Sequence, residues 1–225
     1  MNTTDELKTL EETGTIQTKH PVLAELPAFP LFIASKFVAK PDVKHTISVV
    51  SVLTTGKTVC IQATNGHVAF RFKFPTTEKF YAKESFLINP KAFDKKVPKA
   101  HSIIFNENNY AAFHDSNMNW SESRAWKDLS GVENYPDLER IYPNDFSNEF
   151  KQSFSFNASY LKLISQTVST YCQKNYYNDP VMTFNGNHSN TAFLITAKVV
   201  LKEFEHLEEF APKLEFLLMP IQIRE

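Results

Sequence analysis

The sequence has 225 residues, 42% of them hydrophobic and 22% charged, and a formal net charge of -1 at pH 7. These values are close to globular averages and allow one large domain or two small ones, and no apolar run reaches the length of about 18 residues that indicates a membrane span. The two cysteines, Cys60 and Cys172, occur in unrelated contexts, which excludes a disulfide framework and a cysteine-based zinc site.

The chain begins with an acidic and polar segment. Residues 1–28 contain an acidic run and two prolines, Pro21 and Pro27. This composition predicts a mobile tail with at most one strand or short helix. The start has neither the basic region nor the apolar region of a secretory signal, so we expect a soluble, cytoplasmic protein with reduced cysteines.

Three stretches are predicted to be helices, and all three are basic: residues 31–45, 89–101 and 158–175. Together they carry nine lysines against Asp42 and Asp94, while the rest of the chain is acidic. A charged run is usually only a solvated helix face, but its recurrence on all three helices favours a surface that faces phosphates. The predicted residues for sequence-independent contacts to double-stranded DNA are Lys36, Lys40, Lys44, Lys91, Lys95, Lys96, Lys99, Lys162 and Lys174.

Strand patterns lie between these helices. In residues 46–74 the segment TTGK supplies a turn, and three phenylalanines alternate with Arg71 and Lys73, which predicts half-buried antiparallel strands. The order of helix and strands recurs in residues 85–128 and again after a link at 135–145. We therefore predict an α+β fold of about three half units, each a helix packed on antiparallel strands.

Residues suited to catalysis or metal binding are sparse. There is no Gly-rich phosphate loop and no nucleophile or zinc motif, and the seven histidines never pair at metal-ligand spacing. His67 could act as a base, but a histidine just after a hairpin turn is more often structural. We expect no enzyme activity and no cofactor, and a metal-dependent nuclease is kept only as a third alternative.

Several segments resemble, in the same order, those of the bacterial sliding clamp, the beta subunit of DNA polymerase III. ATNGHVAF (63–70) is similar to the clamp's ATDGHRLA, and FLINPKAF (86–93) to the start of the second half of its middle domain. YPDLERIYP (135–143) resembles the link to the last domain, SFNASYLKLI (155–164) the clamp's FNVSYVLDVL, and LEFLLMPIQI (214–223) its terminal strand. A single segment would be weak evidence, because Asn-Gly also marks an ordinary hairpin turn. The resemblance rests on their joint order.

The resemblance implies a domain plan. Residues 1–28 form the tail, residues 29–145 resemble the middle domain of the clamp, and residues 146–225 resemble the second half of its last domain. A closed ring would need about four copies of this chain, or three if another half unit is concealed, so we expect a homo-oligomer. The first domain of the clamp and the first half of its last domain have no counterpart in this sequence, which suggests a phage, plasmid or mobile-element origin.

In the clamp family these segments converge on one apolar pocket, which takes a short extended peptide bearing a Gln and bulky hydrophobic residues. The chemistry here suits that task, because Met, Leu, Ile and Pro give an adaptable floor while Asn157, Tyr160 and Arg140 could hold a peptide backbone or a Gln. The alternative is that all of these are ordinary core and interdomain contacts. The pocket residues that the resemblance implies are Ile47, Thr64, Gly66, His67, Val68, Ala69, Pro136, Arg140, Ile141, Asn157, Tyr160, Leu217, Leu218, Met219, Pro220 and Ile221.

The resemblance implies a DNA polymerase processivity factor that holds replication or repair proteins on DNA. Its partners would be double-stranded DNA, DNA polymerase, other proteins with a clamp-binding peptide and a clamp loader, with no membrane involved. The runner-up is a non-encircling clamp-derived adaptor or inhibitor, which keeps the pocket without the ring. Val68 and Ala69 stand where the family has Arg and Leu, and Asn65 where it has Asp, so the peptide specificity is open.

Overall fold

The computed structural model describes residues 21–41, 45–93, 101–108, 110–114, 120–126, 134–142, 156–174, 182–185, 193–198 and 213–219. Its two α-helices are α1 (Ala28–Ala34) and α2 (Ala158–Lys174). Its strands are β1 (Val22–Pro27), β2 (Val50–Thr54), β3 (Thr58–Thr64), β4 (Val68–Pro75), β5 (Tyr81–Ala82), β6 (Phe86–Ile88), β7 (Ser102–Asn106), β8 (Tyr110–His114), β9 (Trp120–Ala125), β10 (Met182–Asn185), β11 (Phe193–Lys198) and β12 (Lys213–Leu218). Short 3-10 helices occur at His45–Ile47, Pro90–Phe93 and Leu138–Arg140.

The strands form two antiparallel sheets in which the first two half units exchange strands. One sheet has the order β5-β1-β7-β8-β9, and the other has the order β10-β11-β12-β4-β3-β2-β6. The opening strand β1 pairs with β7 of the second half unit, while β6, which opens the second half unit, pairs with β2 of the first. Neither half unit is complete without the other, so the exchange ties them together.

The third half unit continues the sheet of the first. Strand β12 pairs with β4 from Lys213 opposite Lys73 to Leu218 opposite Val68. We call this junction the seam. The helix α2 and strands β10 to β12 form the third unit, and the predicted α+β fold of about three half units is confirmed.

Aromatic side chains fill the core on one face of the seam. The alternation in β4 places Phe70, Phe72 and Phe74 on this face, and each is almost fully buried. Phe37, Phe70 and Phe216 form a triangle with ring centroids 5.5 to 5.6 Å apart. Such pairs add about 0.5–1.5 kcal/mol each beyond the burial of their area. The triangle therefore joins the first and third half units.

Strands β3 and β4 are buried on both faces, so the prediction that they are half-buried is wrong. Arg71 and Gln62, on the face opposite the phenylalanines, are only 8% and 1% exposed. That face is covered by residues 134–142, which we call the link, whose Leu138 packs against Ala69 and Leu217. Alternation of apolar and polar residues predicted one buried face, but it could not predict what covers the other.

The first predicted helix is much shorter than residues 31–45. Helix α1 ends at Ala34, because the amides of Lys36 and Phe37 bond to carbonyls only three residues back and thereby tighten the chain into a turn. This turn brings Phe37 into the core. Pro41 further disfavours a helix at the residue before it.

The other two helix predictions have different outcomes. Helix α2 confirms the prediction for residues 158–175. In place of a helix over 89–101, the chain has the 3-10 helix Pro90–Phe93, and residues 94–100 lie outside the described parts.

The predicted tail contains the one strand that its composition allowed. Strand β1 lies between β5 and β7 in its sheet, so residues 22–27 belong to the folded structure. Residues 1–20 lie outside the described parts, and the domain boundaries stay a prediction. No helix among the described residues is long and apolar enough to cross a bilayer.

Candidate functional site

A cavity of about 480 Å³ opens at the end of the seam, and we call it the seam cavity. Four segments line it: the 3-10 helix His45–Ile47, the turn between β3 and β4, the link and the end of β12. None of the described residues that line it is an Asp, Glu, Lys or Arg. An uncharged, largely apolar group is therefore the kind of ligand that this cavity suits.

The turn between β3 and β4 is held by hydrogen bonds to its own side chains. The Asn65 side-chain oxygen accepts hydrogen bonds from the amides of His67 and Val68 at 3.0 and 3.1 Å, and the Thr64 hydroxyl accepts one from the Gly66 amide at 3.0 Å. Gly66 has a φ of 90°, which favours glycine. The predicted Asn-Gly turn thus presents Thr64, His67 and Val68 to the cavity.

The end of β12 forms the floor of the seam cavity. Leu217 lies opposite Ala69 in the strand register, and both are buried. The Met219 amide donates to the His67 carbonyl at 3.1 Å, which extends the pairing one residue beyond β12. Met219 is itself 42% exposed, so an apolar side chain stands at the entrance.

The link forms the facing wall. Its 3-10 helix is capped by Asp137, which accepts a hydrogen bond from the Glu139 amide at 3.1 Å. Leu138 points into the small apolar cluster on the sheet, whereas Ile141 is 47% exposed beside the cavity. One turn of helix therefore anchors the link through one side chain and offers another to a ligand.

A cluster of charged residues lies beneath the link. Arg71 Nη1 donates to both carboxylate oxygens of Glu139 at 3.2 Å, and Arg71 Nε donates to Glu215 at 2.6 Å. Lys73 Nζ reaches the Glu139 carboxylate at 3.1 Å. The Arg71 guanidinium carbon also lies 3.5 Å from the centre of the Tyr142 ring. These residues connect β4, β12 and the link.

Burial and charge shift several pKa values around this cluster. Partial burial would raise the pKa of the Glu139 carboxyl, but the hydrogen bond from Lys73 and the charge of Arg71 outweigh it and the pKa is lowered. Burial raises the pKa of the Tyr142 hydroxyl well above its usual range. Burial also raises the pKa of the Cys60 thiol to about 12, so this thiol is protonated and unreactive at neutral pH.

The structure brings most of the predicted pocket residues to the seam cavity. Ten of the sixteen line it. They are Ile47, Thr64, Gly66, His67, Val68, Ala69, Pro136, Ile141, Leu217 and Met219. Four segments that are distant in sequence therefore meet at one concave surface, as the resemblance implied for the family.

The other six predicted residues lie elsewhere or outside the described parts. Tyr160 stacks on His67 with ring centroids 5.7 Å apart, and the exposed Asn157 accepts a hydrogen bond from the Ser159 amide at 2.9 Å. The Arg140 side chain is 85% exposed and pairs with Asp137 within the link, and Leu218 is fully buried in the core. Pro220 and Ile221 lie outside the described residues.

Four residues that the sequence analysis did not select also line the cavity: Thr46, Asn134, Tyr135 and Leu138. Tyr135 and Leu138 lie inside the segment YPDLERIYP, Asn134 directly precedes that segment, and Thr46 adjoins the selected Ile47. Their nearness to the resembling segments is the signal that could have found them.

The described parts of the chain contain only some of the lysines predicted to bind DNA. Lys36, Lys40, Lys91 and Lys162 are exposed. Lys36 Nζ lies 4.4 Å from the centre of the Phe32 ring, and partial burial lowers its pKa. The residues outside the described set are Lys44, Lys95, Lys96, Lys99 and the side chain of Lys174. No group of three or more His, Cys, Asp or Glu that could hold a metal ion occurs within the described residues.

Solved structures share this architecture. The H. pylori beta clamp in complex with diflunisal matches with a TM-score of 0.63 at 11% identity, over 95% of this chain and 70% of that chain. The C. crescentus beta sliding clamp gives 0.60 at 12% identity, over 95% and 69% of the two chains. The Helicobacter pylori beta clamp bound to a DNA ligase peptide gives 0.53 at 11% identity, over 95% and 69%. No protein-family model and no curated protein matches the sequence.

The similarity covers nearly all of this chain and about seven tenths of each of these clamps. Because the sequence identity is only 11–12%, the shared feature is the arrangement of helices and strands. The chain therefore has the fold of the bacterial sliding clamps, the beta subunits of DNA polymerase III, with a divergent sequence.

Proposed function

We propose that this chain is a sliding-clamp-like processivity factor without enzyme activity, which holds replication or repair proteins on DNA through a peptide bound in the seam cavity. The observation that carries the proposal is the convergence of residues 64–69, 134–141 and 217–219 on one uncharged cavity. A Helicobacter pylori clamp of the same fold binds a DNA ligase peptide, which supports a peptide as the ligand.

The lining of the cavity suits an extended peptide with bulky apolar side chains. Met219 and Ile141 are both exposed at the cavity and could close over such a side chain, and the flexible thioether adapts to its shape. Asn134 and the turn residues offer polar groups to the peptide backbone. Apolar contacts then supply most of the affinity, and the polar groups set the register.

Met219→Ala tests the site directly. We expect it to weaken binding of a short peptide bearing a Gln and bulky hydrophobic residues by about 1–3 kcal/mol, because buried apolar contacts dominate such interfaces. Fluorescence anisotropy of the labelled peptide measures the affinity. Met219 is 42% exposed, so the thermal midpoint should change little, and full affinity in the folded variant would show that the site is misplaced.

Arg140→Ala tests whether Arg140 contacts the peptide, as the resemblance implies, or lies outside the site, as its position indicates. The Arg140 side chain is 85% exposed and does not line the cavity, so geometry predicts unchanged peptide affinity. A loss of affinity would instead support the role that the resemblance implied for this residue. In either case its removal should alter stability by less than about 0.5 kcal/mol.

DNA binding is tested through the predicted lysines. If they face phosphates, replacing Lys91, Lys95, Lys96 and Lys99 by Glu should abolish retention on circular DNA while the circular dichroism spectrum stays unchanged. Retention that survives this charge reversal would exclude a role for these lysines.

Size-exclusion chromatography with light scattering separates the proposed clamp from the alternative, a non-encircling adaptor. A closed oligomer favours the clamp, and a monomer favours the adaptor.

A further inference from the structure

The link is attached to the sheet by side chains. Five of its residues line the seam cavity, so its position determines where one wall of the cavity stands. Its own backbone hydrogen bonds run from the amides of Ile141 and Tyr142 to the Leu138 carbonyl. Among the described residues, no backbone-to-backbone hydrogen bond joins the link to a strand. The position of the wall therefore depends on the contacts of its side chains.

The side-chain contacts of the link include apolar and charged ones. Leu138 and Tyr142 belong to a small apolar cluster with Ala69, Leu194 and Leu217, but apolar burial is non-directional. The Glu139 carboxylate, in contrast, is held by Arg71 and Lys73 at 3.1 to 3.2 Å. Charge-assisted hydrogen bonds are directional, so this carboxylate is suited to fixing where the link sits.

Arg71 is the residue on which these contacts converge. Its guanidinium contacts Glu139 and the Tyr142 ring in the link and Glu215 in β12. A planar guanidinium offers five donors in a fixed fork and stacks on aromatic faces, which a lysine cannot do. Its side chain is 10% exposed and lies outside the cavity lining. It can therefore act on a ligand only indirectly, through the link and β12, the elements that it holds.

We propose that Arg71, through Glu139, positions the link and so sets the width of the seam cavity. Arg71 is then a positioning residue for a site that it does not touch. The consequence for peptide affinity rests on the proposed function, whereas the position of the link is a property of the free protein. The two can therefore be measured separately.

Salt gives this arrangement a distinctive signature. The Glu139 and Lys73 side chains are each 45% exposed, whereas Glu215, which bonds to Arg71, is 18% exposed. Exposed charges are screened by salt more strongly than buried ones. Raising the salt should loosen the link before it affects the seam, and an uncharged peptide should bind less tightly although it carries no charge of its own.

The first measurement is hydrogen–deuterium exchange of the free protein, with Glu139→Gln as the variant. Gln keeps the size of the side chain and removes its charge, and the Arg71–Glu215 pair stays intact. We expect exchange of the link amides to rise by about fivefold, with β4 and β12 unchanged. Glu78→Gln, an identical change at an exposed residue, and Arg140→Gln in the same link should leave the exchange as it is.

The second measurement is the affinity for a terminally blocked, uncharged peptide made of one Gln, two Leu and one Phe. Glu139→Gln should weaken its binding by about fivefold. Between about 0.05 and 0.5 M salt, the affinity of the wild-type protein should fall towards that of the variant. The affinity of the variant should stay constant over the same range, because it lacks the charge that salt screens. Glu78→Gln should follow the wild-type protein.

The outcomes separate the two proposals. Unchanged exchange of the link amides in Glu139→Gln would overturn the positioning role of Arg71 and Glu139, whatever the peptide does. Faster exchange without any peptide binding to the wild-type protein would support that role and overturn the proposed function. Should Glu139→Gln fail to fold, Lys73→Gln provides the same comparison, with a smaller expected rise in exchange because Arg71 still holds the carboxylate.

Discussion

The two faces of β4 belong to the same eight residues, yet different forces hold them. On one face, Phe70 lies in a triangle of buried rings with Phe37 and Phe216. On the other face, Arg71 bridges the link and β12 by charge-assisted hydrogen bonds. Apolar burial gives the larger and less directional stabilisation, whereas the charged contacts specify geometry. The stability of the seam and the shape of its cavity should therefore respond to different substitutions.

Phe70→Ala should have the largest effect on stability. The side chain is fully buried and contacts two other rings, so its loss leaves a cavity and should lower the free energy of unfolding by about 3–5 kcal/mol. Chemical denaturation measures this loss. Phe184→Ala, at a position 41% exposed on β10, is the matched control and should change stability by less than about 0.5 kcal/mol. Equal effects would contradict the difference between the core and the surface.

Arg71→Met should have a smaller effect that acts on both stability and the link. It leaves the mostly buried Glu215 carboxylate without its partner, and the free energy of unfolding should fall by about 2–3 kcal/mol. Adding Glu215→Leu should restore much of that loss, because apolar residues can replace a buried ion pair. Hydrogen–deuterium exchange of the link amides should be faster in Arg71→Met than in the wild-type protein, and it should stay faster in the double variant. If it returned to the wild-type rate, the charged contacts would have no separate role in geometry.

The smallest effect is the pH dependence that Glu139 contributes. Because its pKa is lowered in the folded protein, its contribution is fully present above the ordinary glutamate pKa and is lost as the pH falls through the lowered value. The charged groups that face it are Arg71 and Lys73, with Glu215 beyond Arg71. Given its exposure, acidification from neutral pH should destabilise the wild-type protein more than Glu139→Gln by only about 0.5 kcal/mol. If the denaturation midpoints of the two proteins ran parallel across that range, the Glu139 carboxylate would contribute nothing to stability.

Features set by neighbouring residues could be predicted from the sequence. The alternation in β4 correctly predicted which side the phenylalanines occupy, and Asn65–Gly66 predicted the turn that presents His67 to the cavity. Helix α2 followed from its periodic pattern. In each case the side chain or backbone acts on residues within a few positions, so a short stretch of sequence contains the whole cause. The resemblance of ordered segments added the fold, because it compares distant parts of the chain together.

The sequence by itself determined the strand pattern, the β3–β4 turn and the last helix. The resemblance indicated the segments that meet at the cavity, together with Asn157 and Tyr160, which do not line it. Only the tertiary structure decided where α1 ends, what covers the second face of β4, and that Arg71 is held by Glu139 and Glu215. These two partners lie 68 and 144 residues away from Arg71 in the chain. No local pattern records such a pairing, because it exists only once strand exchange and the seam have brought the segments together.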